Sequence, residues 1–118
     1  MAVPAHQRLR TQYDFEQVRS QGTRLNCGLF IVQYTVEDQL KHSRLGVIAS
    51  RRGGNAVKRN YGKRVFRNLF RNHQKNLPLG TNLVMVLRSN FDSVPYAELE
   101  MRFLKACKTI SENFNSEK

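Results

Sequence analysis

No stretch of this sequence approaches the roughly 18 consecutive apolar residues that a membrane-spanning helix requires. Met1 to Arg10 also lacks the apolar core of a secretory signal. The expected protein is therefore soluble and cytoplasmic, with no membrane partner. Cysteine is scarce: Cys27 and Cys107 stand alone, without a CxxC partner or neighbouring histidines. That excludes a disulfide framework and a zinc site, and it leaves both thiols as small core residues. Internal repeats and low-complexity tracts are absent as well. The most informative shortage is of carboxylates. Nine Asp and Glu face twenty Lys and Arg, for a net charge of +11. No acidic residue lies between Asp38 and Asp92, a stretch that holds Lys41, Arg44, Arg51, Arg52, Lys58, Arg59, Lys63, Arg64, Arg67, Arg71, Lys75 and Arg88. A field of one sign this long implies a polyanionic partner.

What is present is an ordinary globular mixture, 40% hydrophobic and 25% charged in 118 residues. That is enough for one hydrophobic core and too little for two. The expected organisation is a single domain over residues 1–118, a monomer with loose ends near 1–7 and 113–118.

Local patterns give the order of elements. Thr11 to Asp14 reads as a capping box opening a short helix through Phe15 and Val18, closed near Gly22 by a left-handed glycine. Leu29 to Val36 and Leu45 to Ala49 are rich in β-branched and aromatic residues and read as strands, with Arg24 to Asn26 a weaker third. Asn55 caps a long helix starting at Ala56, and Leu83 to Leu87 reads as a strand buried on both faces. A final helix takes Ser93 as cap and Pro95 in its first turn, with Tyr96, Leu99, Phe103, Cys107 and Ile110 on its apolar face.

The long helix carries the functional signal. With Val57 set to zero and about 100° per residue, Tyr61, Val65, Leu69 and Phe66 fall within roughly the first 180°, the expected core face. Arg59, Asn60, Lys63, Arg64, Arg67 and Arg71 occupy the remaining arc, which contains no carboxylate. A merely solvated face mixes signs, because Glu–Lys pairs four apart stabilise a helix by about 0.2–0.5 kcal/mol and like charges cost as much. This helix forgoes that gain throughout. Phosphates of a partner would relieve the repulsion, and arginine forks bind them in bidentate fashion.

The run Ser50-Arg-Arg-Gly-Gly-Asn-Ala-Val-Lys-Arg-Asn-Tyr-Gly-Lys-Arg-Val-Phe-Arg67 closely resembles the signature of the bacterial ribonuclease P protein family. In that signature, two basic residues and a glycine loop lead into a helix reading Asn-Ala-Val, Arg-Asn-Arg and Lys-Arg. The likeness extends to Arg8-Leu9-Arg10, Asp14-Phe15 with Val18 and Gly22, Leu45-Gly46-Val47 and the last helix. Two positions depart from it: Tyr61 replaces the second arginine of Arg-Asn-Arg, and Gly62 replaces a branched apolar residue. Glycine there weakens the helix by about 1 kcal/mol relative to alanine.

The resemblance implies an α/β (α+β) two-layer sandwich with a four-stranded mixed sheet, in the order α-β-β-β-α-β-α, and a left-handed β-α-β crossover. It implies a protein subunit of an endoribonuclease that removes the 5′ leader of precursor tRNA. The partners would be the catalytic RNA subunit and precursor tRNA. No catalytic residue, metal or cofactor is expected on the protein alone; magnesium would come with the RNA subunit. The expected RNA surface comprises Arg51, Arg52, Lys58, Arg59, Asn60, Lys63, Arg64 and Arg67, with Lys58 off the main arc. The expected leader cleft holds Phe15, with Arg19 replacing an aromatic four residues on. Phe30 or Tyr34 would add a stacking platform if the strand register exposes it.

Three other readings compete. An autonomous nuclease needs clustered carboxylates or a histidine base, whereas His6, His42 and His73 are scattered along the chain. A helix-turn-helix lacks its short partner helix. A ribosomal or other structural RNA-binding protein would share this size and charge.

Overall fold

The computed structural model describes residues 3–37, 39–49 and 54–116. Its elements are α1 (Gln12–Gln21), β1 (Thr23–Asn26), β2 (Phe30–Val36), β3 (Arg44–Ile48), α2 (Ala56–His73), β4 (Thr81–Leu87) and α3 (Tyr96–Ser116). The strands form one mixed sheet in the order β1-β2-β4-β3, antiparallel except for the parallel pair β3 and β4, which α2 connects. This is the expected order and fold class.

Alternation along the strands divides the sheet into two faces. Phe30, Val32 and Tyr34 of β2, with Leu83, Met85 and Leu87 of β4, point to one side. There they pack with Val65, Phe66, Leu69 and Phe70 of α2 and Leu99, Phe103, Cys107 and Ile110 of α3. The opposite face carries a smaller cluster of Leu9, Val18 and Val84, with Phe15, Ile48 and Val86 packed against it. The two long helices thus form the second layer, and α1 lies across the sheet's other side. Burial pushes the Cys107 thiol up to about 12, so it stays protonated at neutral pH.

Both helix ends of α1 fall where expected, one for a different reason. The Thr11 hydroxyl accepts from the Asp14 amide at 3.1 Å, and the Asp14 carboxylate accepts from the Thr11 amide at 3.3 Å, which completes the capping box. Gly22 is extended (φ −85°) rather than left-handed. It is small because a Cβ would stand 2.6 Å from the Tyr34 carbonyl oxygen and would also strike that of Val18.

Within the segments expected to be loose, the described residues 3–7 and 113–116 make packing contacts and hydrogen bonds. Val3 is 1% exposed, and the Leu9 amide donates to the Leu45 carbonyl at 2.9 Å along the edge of β3. The Gln7 side chain donates to Gln74 at 2.6 Å. At the other end α3 runs on to Ser116, and Asn113 donates to the Tyr34 hydroxyl at 3.0 Å. Ser93 does not cap α3: its hydroxyl donates to the Asn90 carbonyl, and Pro95 lies just outside the helix, its carbonyl accepting from Glu98.

Candidate nucleic-acid interface

The side chain of Asn55 accepts from the Lys58 amide at 2.9 Å and starts α2. The face that α2 buries is rotated from the one its sequence suggests. Gly62, Val65, Phe66, Leu69 and Phe70 are buried, while Val57 is 78% and Tyr61 41% exposed. The cause lies in the turn after β4. Leu87 and Phe91 press against the helix at Gly62, where a Cβ would stand 2.9 Å from Phe91 Cζ. This close approach turns the helix so that Val57 and Tyr61 face outward. Phe70, which the wheel would leave among the cations, turns inward.

The cations themselves stay unpaired. Among the described residues the ion pairs are Arg44–Glu37, Lys58–Asp92, His73–Glu100 and Arg102–Glu98. None involves Arg59, Lys63, Arg64, Arg67 or Arg71. Asn60 and Arg64 are exposed, and Arg59, Lys63, Arg67 and Arg71 are half-buried beside them. The Nε of Arg59 is buried with no hydrogen-bond partner among the described residues.

Lys58 is held differently from the other cations of the expected set. Its ammonium lies 3.1 Å from Asp92, donates to the Ser89 carbonyl at 2.6 Å and sits 5.8 Å from the centre of the Phe91 ring. It ties α2 to the turn after β4. Arg51 and Arg52, also expected on this surface, lie outside the described residues.

The α1 side of the sheet holds the second group. Phe15 packs over Gly46, where a Cβ would stand 2.6 Å from Phe15 Cζ. Register places Ile31, Val86 and Ile48 side by side on adjacent strands of this face. All three are half-buried, so they form an apolar floor that α1 only partly covers. Arg19 is exposed at the border, its Nε donating to Gln33 at 3.1 Å, and Arg24 pairs across from Gln33. Phe30 and Tyr34 are buried on the opposite face, so register denies both a platform role.

The two groups meet around the edge of β3 along which the Arg8–Leu9 segment runs. Arg67 of α2 lines the same shallow hollow as Phe15 of α1, together with Arg8, Leu9 and Gly46. Arg8, whose Nε donates to the Val3 carbonyl at 2.6 Å, was not among the expected site residues. Neither were Ile31, Val86 and Ile48. Their signal in the sequence was a place in apolar strand runs, which cannot say which face α1 covers.

Histidine placement also differs from its spacing in the chain. His6 and His42 meet edge to face, ring centres 4.9 Å apart. Among the described residues no group of three or more His, Cys, Asp or Glu side chains gathers as a metal site would require, and no helix is long and apolar enough to cross a membrane.

Comparison with known proteins agrees with this geometry. The Ribonuclease P family model matches residues 3–111. The ribonuclease P protein component of Petrotoga mobilis is 32% identical over 108 residues, spanning 88% of this chain and 91% of that protein. That of Streptococcus pneumoniae is 33% identical over 114 residues, spanning 94% and 92%. The RNase P protein from Thermotoga maritima superposes with a TM-score of 0.78 at 30% identity, over 87% of this chain and 96% of that one. The Staphylococcus aureus RNase P protein does so with a TM-score of 0.77 at 25% identity, over 88% and 97%.

Proposed function

The chain belongs to the ribonuclease P protein family, and from that premise we propose that it binds two RNAs at once. The α2 flank of Arg59, Asn60, Lys63, Arg64 and Arg67 holds phosphates of the catalytic RNA subunit. The α1 side of the sheet takes the single-stranded 5′ leader of precursor tRNA. As a subunit of the endoribonuclease that matures tRNA 5′ ends, the protein positions RNA. Hydrolysis, and the magnesium ions it needs, belong to the RNA subunit.

The observation that carries this reading is the absence of a carboxylate partner for any of Arg59, Lys63, Arg64, Arg67 and Arg71 among the described residues. Their mutual repulsion is relieved only by anions from outside. On the other side, leader bases would rest against Phe15 and the floor of Ile31, Val86 and Ile48. Arg19 and Arg8 would meet the phosphates. A cationic rim around apolar and aromatic platforms binds a single strand with little sequence preference.

The test is reconstitution with the catalytic RNA subunit, measuring affinity for precursor and mature tRNA with and without the protein. The expected result is a protein-dependent tightening confined to precursor. Equal tightening of both, as a general structural RNA-binding protein would give, rejects the leader assignment; no binding to the catalytic RNA rejects the whole reading.

A further inference from the structure

Among the aromatic side chains of α2, Tyr61 alone faces solvent: it is 41% exposed, whereas Phe66 and Phe70 are fully buried. Its ring is not loose. It lies against Phe91 at 27° between planes, with centres 6.3 Å apart. Phe91 is itself 0% exposed and wedged against Gly62. Among the described residues the phenol oxygen has no hydrogen-bond partner. Val57 precedes Tyr61 by one turn and is also exposed, and the unpaired Arg64 follows by one turn. The nearby carboxylate, Asp92, is held by Lys58.

A ring that rests on a buried one and still keeps 41% of its surface exposed at the border of a cationic flank offers that surface to whatever meets the flank. It suits a ligand that offers a flat π face beside a phosphate. Paired RNA shows a protein helix mainly phosphate and ribose, whereas an unpaired nucleotide has a free face to stack. We infer that Tyr61 is a stacking platform for one unpaired base of the catalytic RNA, with Arg64 holding an adjoining phosphate. The inference rests on the proposed RNA-binding role of α2 and adds to it a contact that salt does not screen.

The intact chain is titrated with the catalytic RNA across a range of salt concentrations. Tyr61→Ala is expected to weaken binding roughly 5- to 150-fold, the range of one base–aromatic stack, while Tyr61→Phe stays within about twofold. The slope of log affinity against log salt stays unchanged in both, because no ion contact is lost. Tyr61→Trp retains the ring and introduces the chain's only indole, since the protein has no tryptophan. Its fluorescence is expected to be quenched when the RNA binds.

Full affinity in Tyr61→Ala, an equal loss in Tyr61→Phe, or an indole that RNA leaves unquenched overturns the inference. So does a loss confined to the leader of precursor tRNA, which would assign the base to the substrate. If the unsubstituted protein fails to bind the catalytic RNA, the proposed function falls first. Normal binding with an indifferent residue 61 removes only the platform.

Discussion

Gly62 and Phe91 are fitted to each other: a methyl group on the glycine would stand 2.9 Å from the Phe91 ring, which is completely buried beneath the helix. In an isolated helix Gly62→Ala would gain about 1 kcal/mol. Here overpacking against Phe91 and Leu87 costs about 1–3 kcal/mol, so the variant is expected to be less stable. Phe91→Ala should cost about 3–5 kcal/mol, and the two changes together less than their sum, because each removes the other's conflict. Urea denaturation of the four proteins decides it; a stabilised Gly62→Ala would refute the account.

Arg64 and Lys58, both basic and both on α2, should respond to substitution in different ways. Arg64→Ala and Arg67→Ala are each expected to weaken catalytic-RNA binding and flatten its salt dependence by about 0.7–0.9 in log–log slope. Lys58→Ala should leave the slope unchanged, because its ammonium is held by Asp92 and the Ser89 carbonyl. Its effect belongs in folding stability, at about 1 kcal/mol or less for a half-exposed pair. A flattened slope for Lys58→Ala would return that residue to the RNA surface.

Phe15 and Gly46 form a second fitted pair, and the ring lies beside the apolar floor of the sheet. Phe15→Ala in the reconstituted holoenzyme is expected to raise the Kd for precursor tRNA by the equivalent of about 1–3 kcal/mol and to leave mature tRNA unaffected. Gly46→Ala should reproduce the effect without removing the ring, by displacing it. Parallel losses for mature tRNA would show that Phe15 serves folding rather than the leader.

The capping box of α1 should leave a signature in acid. Burial alone would raise the Asp14 pKa. Hydrogen bonds from the Thr11 and Arg10 amides and the Thr11 hydroxyl, with the field of Arg44, outweigh it and hold the group below its ordinary 3.8. The folded protein therefore binds this proton less readily than the unfolded chain. The carboxylate's contribution is full above pH 3.8 and disappears as pH falls through the lowered value. The stability gap between the unsubstituted protein and Asp14→Asn should thus narrow below that pH. Thr11→Ala should cost about 0.5–2 kcal/mol at neutral pH. A gap that widens in acid would contradict the cap geometry.

The order of elements, the capping box at Thr11 and Asp14, the cap at Asn55 and the carboxylate-free flank of α2 were legible in the sequence. Each depends on residues within a few positions of one another: hydrophobic period, cap chemistry and local charge. What the tertiary structure decided are relations between residues far apart in the chain. The rotation of α2, which exposes Val57 and Tyr61 and buries Phe70, comes from Phe91 and Leu87 meeting Gly62. The pairing of β2 with β4 sends Phe30 and Tyr34 inward and leaves Ile31 beside Val86 on the other face. Lys58 reads as one more cation until the turn after β4 brings Asp92 to it, and Arg67 and Phe15 share a hollow only because the segment around Arg8 runs along the edge of β3. Periodicity states that a helix or strand has two sides. Which side faces which neighbour is set by packing, and packing is settled among all the elements at once.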